Sequence, residues 1–147
     1  MQYMKHTIIV DTREKKPWTF ERYKVKVQRG TLRSGDYSLK GFHKSGIAIE
    51  RKALADLFGS MTSGRLRFYN ELRRLGEFRL AALIVEAPHD AVLRGSRMTR
   101  ISPGSMLRTI YAWCCGFGIQ VHFCENSEKA EEKAYRLLVG WAESREI

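Results

Sequence analysis

Cysteine is scarce in this sequence, and its three cysteines are placed poorly for a disulfide or zinc framework. Cys114 and Cys115 are adjacent, and Cys124 is the third, so no C-x-x-C pair exists. This pattern argues against a structural zinc site and against a disulfide-stapled fold. Because free thiols are typical of a reducing compartment, we expect an intracellular protein, in the cytoplasm or nucleoid of a prokaryote or phage-infected cell, or in a nucleus.

Long apolar runs and acidic residues are also few. No stretch of about 18 apolar residues occurs, so we expect no membrane-spanning helix, and the N-terminus shows no signal-peptide pattern. The chain has 16 Asp and Glu against 26 Lys and Arg, a formal net charge of +10. Such a basic protein attracts polyanions, nucleic acid above all, although a generally basic soluble surface would have the same composition. The 147 residues, with three prolines, predict a single folded domain over residues 1–147.

The hydrophobic pattern predicts an alternation of strands and helices. Short β-branched or alternating segments predict strands at 7–10, 23–28, 36–39, 47–50, 80–85 and 119–123. Apolar residues at helical spacing predict helices at 54–61, 64–75, 102–115 and 126–143. This order predicts an α/β fold in which a central mixed sheet is flanked by helices.

Several helix ends can be predicted from individual residues. Thr62 or Ser63 is the expected cap of helix 64–75, Ser102 that of the next helix, and Asn126 that of the last one. The apolar face predicted for helix 64–75 consists of Leu66, Tyr69, Leu72 and Leu75.

An acid and a lysine stand together at the end of the apolar strand 47–50. Glu50 and Lys52 are two residues apart, so in a strand they point to the same face. A carboxylate can hold a divalent metal, and a neighbouring lysine can position or activate an attacking water. The pair therefore indicates phosphodiester hydrolysis.

One carboxylate holds Mg²⁺ weakly, so a second one must converge on the first. If residues 41–45 form a five-residue turn, Lys40 faces Gly46, and counting back along both strands sets Asp36 opposite Glu50. Their Cβ atoms would then lie about 4.5–5.5 Å apart, whereas a one-residue slip would separate them to opposite faces. Asp11, at the end of the first strand, is a candidate third carboxylate. Taken singly, Asp36 or Glu50 is better explained as a surface residue or a salt-bridge partner, and it is their spacing on adjacent strands of a basic protein that favours a metal site.

Several linked motifs resemble one family. The sequence contains Gly35-Asp36, then Glu50-Arg51-Lys52 followed three residues later by Asp56, and upstream the V-D-x-R-E segment 10–14. These residues, with the similar segments 57–66 and 81–86, resemble the nuclease domain of XPF-type structure-specific endonucleases, in the PD-(D/E)XK superfamily. The resemblance implies a restriction-endonuclease-like fold and Mg²⁺- or Mn²⁺-dependent cleavage of branched, flap or fork DNA.

The resemblance also implies a role for each motif residue. Asp36 and Glu50 would be metal ligands, Asp11 a further acid near the metal, and Lys52 an aid to the attacking water. Arg51 would anchor its side chain locally while its carbonyl faces the metal.

The remaining predicted site residues are another acid and a group of arginines. Asp56 would pair with Lys52 or Arg51. The predicted DNA-binding residues are Arg13, Arg65 and Arg67, which the resemblance suggests, and Arg94, Arg97 and Arg100 of a basic loop, which could equally be a solvated loop.

Members of this family often carry a helix–hairpin–helix module or a helicase, and neither is recognisable in these residues. We therefore expect a homodimer, with helices 102–115 and 126–143 as candidate contacts, or delivery by another protein. Those helices could equally do no more than cover the sheet. The alternatives are a non-catalytic DNA-binding or scaffolding module, and a nuclease that acts on another substrate such as RNA or plain duplex ends. DNA repair, recombination, phage replication and host defence would all use this chemistry.

Overall fold

The centre of the molecule is a six-stranded mixed sheet, and the computed structural model describes residues 4–146. Its strands are β1 (Thr7–Asp11), β2 (Lys26–Gly30), β3 (Tyr37–Leu39), β4 (Ile47–Lys52), β5 (Leu80–Val85) and β6 (Ile119–Phe123). Their order is β2-β1-β3-β4-β5-β6. Strand β3 runs antiparallel to both of its neighbours, and the other neighbouring pairs are parallel. The predicted α/β class with a mixed sheet is confirmed.

Helices cover both faces of this sheet. They are α1 (Leu54–Ser60), α2 (Arg65–Leu75), α3 (His89–Leu93), α4 (Pro103–Phe117) and α5 (Ser127–Ser144). One hydrophobic cluster joins α1 to α4 to one face, and a second cluster joins α5 and the segment around Trp18 to the other. Helix α3 was not predicted, because five residues are too few to show a helical period. Within residues 4–146, none of the helices is both long and apolar enough to cross a membrane.

Strand β4 links the two hydrophobic clusters and fixes the orientation of the residues that follow. Ala48 packs in the cluster of α1 to α4, whereas Ile47 and Ile49 pack in the cluster of α5. Because strand side chains alternate between faces, Glu50 must lie on the side of Ala48 and Arg51 on the side of Ile49. The buried residues before the motif therefore decide where each motif residue points.

The second strand begins later than the alternating pattern predicted. The prediction of a strand over 23–28 was wrong at its start, since β2 spans Lys26–Gly30. Tyr23 stacks on Tyr135 of α5 at 4.2 Å between ring centroids, and Val25 is buried in the second cluster. Tertiary packing of these residues takes the place of strand pairing.

Helix α2 differs from the prediction at its start. The N-cap is Gly64, and no side chain caps the helix. Thr62 Oγ1 instead donates to the carbonyl of Phe58, which completes the preceding turn. By contrast, the predicted caps Ser102 and Asn126 are confirmed, because each side chain accepts a hydrogen bond from the backbone N–H three residues on.

The buried face of α2 also differs from the predicted one. Leu72 and Leu75 are buried as predicted, but the third buried residue is Phe68, and Leu66 is 74% exposed. Tyr69 lies at the side of the helix, where its ring meets Trp113 edge-on. Two adjacent apolar stripes run along this helix, and the docking of α4 decides which of them is buried.

Candidate active site

The turn between β3 and β4 sets the register on which the site depends. Tyr37 pairs with Ile49, which is the register that places residue 36 against residue 50. The N–H of Asp36 donates to the carbonyl of Ile49 at 2.7 Å, and the N–H of Arg51 donates to Asp36 Oδ2 at 2.8 Å. These two bonds bracket Glu50, so the predicted convergence of Asp36 and Glu50 is confirmed.

A cavity of about 230 Å³, here called the acidic cavity, opens on the sheet face that carries Glu50. Four acids line it: Asp11, Asp36, Glu50 and Glu71. Three arginines also line it: Arg13, Arg33 and Arg74. Predicted acids from three separate chain segments therefore share one cavity, and a fourth acid joins them from α2.

Burial and mutual repulsion disfavour the charged forms of the two central carboxyls. The pKa of Asp36 is raised to about 6, chiefly by burial and also by the charge of Glu14, while the hydrogen bond from the Arg51 N–H acts in the opposite direction. Burial also raises the pKa of Glu50 well above its ordinary value, and the nearby charge of Asp36 adds to this effect. Two buried carboxylates that repel each other create a demand for a cation between them.

The donors around this pair suit a hard divalent cation. Asp36 Oδ2 accepts from Arg51, and within residues 4–146 no hydrogen bond engages Asp36 Oδ1. No three His, Cys, Asp or Glu side chains of the described residues form a ready-made metal cluster. Mg²⁺ commonly takes only one or two protein carboxylates and completes its shell with water and substrate oxygens. Asp36 and Glu50 therefore fit such an ion, which they would hold together with the phosphate.

Asp11 is already engaged by the protein. Its side chain is almost fully buried, Oδ1 accepts from the N–H of Leu32, and Oδ2 accepts from the N–H and Nε of Arg13. Burial alone would raise the pKa of Asp11, but these hydrogen bonds bring it below its ordinary value. Asp11 is thus a fixed negative charge at the cavity wall, and its role as a ligand stays a prediction.

Lys52 lies on the same face as Glu50, as predicted. Its Nζ is 3.9 Å from Glu50 Oε2 and 5.0 Å from the ring centroid of Phe68. The side chain is only 15% exposed and borders a second cavity of about 440 Å³, here called the side cavity. The ammonium group is therefore close both to an acid of the acidic cavity and to an aromatic ring that lines the side cavity.

Arg51 points to the opposite face and anchors the end of β4. Its guanidinium forms ion pairs with Glu14 and Glu86. It also donates to the carbonyl of Lys16 at 2.8 Å and lies 4.6 Å from the ring centroid of Trp18. The predicted anchoring of the side chain is confirmed, and the partners named here come from two distant segments, residues 14–18 and the residue that follows β5.

Asp56 does not take the partner predicted for it. Its side chain is exposed near the start of α1, and it forms no ion pair with Arg51 or Lys52. Arg51 lies on the opposite face of the sheet, where it pairs with Glu14 and Glu86, and the Lys52 ammonium lies beside Glu50. Both cations therefore have other partners. Asp56 does line the side cavity together with Lys52.

The predicted DNA-binding arginines separate into four places. Arg13 lines the acidic cavity and Arg67 the side cavity, whereas Arg65 lies over the ring of Trp113 at 5.2 Å. The loop arginines border a third cavity that shares no lining residue with the other two; they are Arg94, Arg97 and Arg100. The structure thus does not bring that loop together with the acids, and its contact with DNA stays a prediction.

Three lining residues were missed from the sequence: Arg33, Glu71 and Arg74. Arg33 immediately precedes the Ser-Gly-Asp turn, so its place beside the motif could have suggested it. Glu71 and Arg74 stand four and seven residues after Arg67, which is the spacing of one helix face. Only the docking of α2 on the sheet shows that this face meets the site.

Gly35 is required by the backbone beside Asp36. Its φ is +79°, and an added Cβ would lie 3.0 Å from the carbonyl oxygen of Ile49. Gly35→Ala is therefore expected to reduce the free energy of unfolding by about 1–3 kcal/mol, measured by urea denaturation. Gly140→Ala, in α5 with nothing within 4 Å, is the control and should stabilise by about 0.5–1 kcal/mol. Equal effects of both substitutions would contradict this account.

The raised pKa of Asp36 predicts an inverse dependence of stability on pH without metal. Between the ordinary value of 3.8 and about 6, the native state binds more protons at Asp36 than the unfolded state does. Stability from this group is therefore largest at low pH and is lost as the pH rises through about 6. In EDTA, Asp36→Asn should be more stable than the wild type at pH 7.5, and the difference should shrink at pH 5.

The control for this experiment is added metal. Because a ligand that binds only the native state stabilises it, Mg²⁺ should raise the melting temperature of the wild type more than that of Asp36→Asn. A stability difference that grows as the pH falls would show that Asp36 is not a destabilised buried carboxylate.

Comparisons with known proteins agree with this architecture. The ERCC4 domain model matches residues 10–137. XPF from Aeropyrum pernix matches with a TM-score of 0.66 at 26% identity, over 84% of this chain and 55% of that one. XPF from Aeropyrum pernix in complex with DNA matches with a TM-score of 0.73 at 24% identity, over 95% and 66%. These matches confirm the restriction-endonuclease-like fold of an XPF nuclease domain.

A curated relative extends the comparison to a much longer protein. A protein of Methanocaldococcus jannaschii, named as a candidate ATP-dependent RNA helicase, is 29% identical over 140 residues. That alignment covers 95% of this chain but 16% of the relative. The match of the family model over most of the sequence, on the fold and acids described above, shows that the chain belongs to the ERCC4 domain family.

Proposed function

We propose that this protein is a metal-dependent endonuclease that hydrolyses phosphodiester bonds of DNA. Membership of the ERCC4 family and the XPF nuclease fold support a DNA nuclease. One of the matched XPF structures from Aeropyrum pernix is a complex with DNA, which supports DNA as the ligand of this fold. The net charge of +10 agrees with a polyanionic substrate.

One observation carries the proposal. Asp36 and Glu50 converge at the wall of one cavity, both with raised pKa values, and Lys52 lies 3.9 Å from Glu50. A purely structural group would gain nothing from two buried acids that repel each other. A site that takes up a cation together with a phosphate has a use for this arrangement.

Each residue of the site has a separate task in this reaction. Asp36 and Glu50 would hold Mg²⁺ or Mn²⁺, which supplies charge stabilisation for the phosphodiester and a more acidic water. Lys52 positions the attacking water and the phosphate through its ammonium group. Arg13, beside Asp11 at the cavity wall, donates to the substrate backbone, while Arg51 keeps the end of β4 in place from the other face.

The proposal also concerns which DNA structure is cut and how the protein assembles. The family resemblance favours branched DNA, such as flaps and forks, and a homodimer or a delivery protein that positions the domain. Helices α4 and α5 cover opposite faces of the sheet through their buried sides, and their outer sides are the proposed contacts of a dimer.

The test is a cleavage assay on labelled flap, fork, four-way junction, duplex and single-stranded DNA, and on RNA of matched sequence. Each is incubated with Mg²⁺, Mn²⁺ or EDTA, for the wild type and Lys52→Ala. We expect metal-dependent DNA cleavage that falls by about 10²–10⁴-fold in Lys52→Ala. DNA binding without cleavage in any metal would instead support a non-catalytic DNA-binding module, and preferential cleavage of RNA would replace DNA as the substrate.

A further inference from the structure

Helix α2 presents three charged side chains in line to the two cavities: Arg67, Glu71 and Arg74. Arg67 and Arg74 are seven residues apart, only about 20° short of two full turns, so they share one face. Seven residues correspond to a rise of about 10.5 Å along the axis. Glu71 lies between them on the same face, and the charge order along the helix is positive, negative, positive.

The cavities place this row against the candidate catalytic residues. Arg74 lines the acidic cavity with Asp36 and Glu50, and Arg67 lines the side cavity with Lys52. Glu71 lines both cavities, and its charge contributes to the raised pKa of Glu50. The middle of the row is therefore at the junction of the cavities, and an arginine stands on either side of it.

The side chains of these two arginines are also available to bind a ligand. Both side chains are exposed, and in the part of the chain that the structure describes neither takes part in an ion pair or hydrogen bond. Arg33, by contrast, pairs with Glu77 at 2.9 Å and donates to the carbonyl of Lys44. Guanidinium groups without a protein partner at the edge of an acidic site are suited to an anionic ligand.

We propose that Arg67 and Arg74 hold the two phosphates that flank the scissile phosphate on the strand being cut. One DNA strand carries a phosphate about every 3.4 Å of duplex axis, so three consecutive phosphates span two steps, about 7 Å. The two arginines are about 10.5 Å apart along the helix, and their long, flexible side chains can cover the remaining difference by leaning toward each other. The scissile phosphate would then lie level with Glu71. Because the charge of Glu71 disfavours binding of a phosphate to the helix itself, the scissile phosphate lies closer to Glu50 and Lys52. The inference rests on the proposed function and adds the path of the strand.

Neutral phosphate analogues test this path directly. The protein is assayed on the DNA that it cuts best, with a methylphosphonate placed at one or the other flank of the cleavage site. In the wild type, each replacement should reduce kcat/KM about tenfold, since a charged hydrogen bond is lost. Arg74→Ala should lose sensitivity to the replacement at one flank only, and Arg67→Ala to the replacement at the other flank only.

A neighbouring arginine serves as the matched control. Arg73 is an exposed residue of the same helix with the same charge, and it lines neither the acidic nor the side cavity. Arg73→Ala should keep the full sensitivity to both replacements. A general electrostatic contribution would reduce affinity in all three variants without any preference for one flank.

The outcomes separate the two proposals. If the wild type cuts DNA but Arg67→Ala and Arg74→Ala respond to both analogues as the wild type does, the inference is wrong while the nuclease function stands. If the wild type cuts no DNA or RNA with any metal, the proposed function is wrong and the strand path falls with it. If only one of the two variants lost its sensitivity to a methylphosphonate at one flank, a single arginine would bind a phosphate there. That result would overturn the two-sided path.

Discussion

Asp36→Asn is expected to reduce DNA cleavage about a thousandfold while the protein stays folded. Asparagine keeps an oxygen that can accept the hydrogen bond from Arg51, so the turn should be preserved. It removes one of the two anionic groups that would hold the metal, and a metal supplies several kcal/mol of transition-state stabilisation. Each 1.36 kcal/mol of that stabilisation corresponds to a factor of ten in rate. Glu50→Gln should have an effect of similar size.

The measurement is single-turnover cleavage with saturating enzyme, so that weakened DNA binding does not enter the rate. Asp90→Asn is the matched control, because Asp90 is an exposed acid whose ion pair with Arg94 lies away from the acidic cavity. Its rate should be within about twofold of the wild type. DNA affinity measured in EDTA should not fall in Asp36→Asn, because without metal the substitution only removes a negative charge.

Cleavage by Asp36→Asn at more than a tenth of the wild-type rate would place the metal elsewhere. Loss of cleavage together with a lower melting temperature in EDTA would also contradict the assignment. Because burial raises the pKa of Asp36, we expect its neutral analogue to be at least as stable as the wild type at pH 7.5.

The core of the candidate site could be predicted because it depends on local regularities. Strand residues alternate between faces, and the length of the 41–45 turn fixes which residues pair, so the convergence of Asp36 and Glu50 follows from counting. The alternation that buries Ala48 on one face and Ile49 on the other also fixes opposite directions for Glu50 and Arg51. Little tertiary information was needed.

The missed parts depend on how distant segments dock. Glu71 and Arg74 form a helix face that the sequence shows as one polar stripe among several, and only the packing of Phe68 and Leu72 turns that stripe toward β4. The same packing explains why Leu66, predicted to be buried, is exposed. A helical period gives the faces of a helix but not their neighbours.

The long-range ion pairs could not be predicted from the sequence for a similar reason. Asp56 stood near Arg51 and Lys52 along the chain and was the expected partner. Glu14 and Glu86, which do pair with Arg51, come from the segment after β1 and from the end of β5. The sheet order places β4 between β3 and β5, and this order brings β5's end beside Arg51.

Arg51→Ala is expected to lower the free energy of unfolding by about 3 kcal/mol. The guanidinium is 18% exposed, and its two acids, Glu14 and Glu86, are 19% and 12% exposed. Removing one partner of such a largely buried pair leaves uncompensated charge, which costs more than the pair contributed. The substitution also removes the hydrogen bond to the carbonyl of Lys16 and the contact with the Trp18 ring.

Urea denaturation at pH 7.5 measures this loss, with Arg94→Ala as the matched control. The pair between Arg94 and Asp90 has side chains that are 69% and 76% exposed, so its loss should cost less than about 1 kcal/mol. Arg51→Lys should recover only part of the loss, because an ammonium lacks the planar fork that reaches Glu14, Glu86 and the Lys16 carbonyl at once.

The position of Arg51 on the far face of the sheet also separates its role from that of the acids. Arg51→Ala that is folded at low temperature should retain a much larger fraction of the cleavage rate than Asp36→Asn does, since the backbone N–H that bonds Asp36 remains. A stability equal to that of the wild type, together with a thousandfold slower cleavage, would instead require the guanidinium to act on the substrate. Such a result would mean that β4 turns its Arg51 side chain to the acidic cavity when DNA binds.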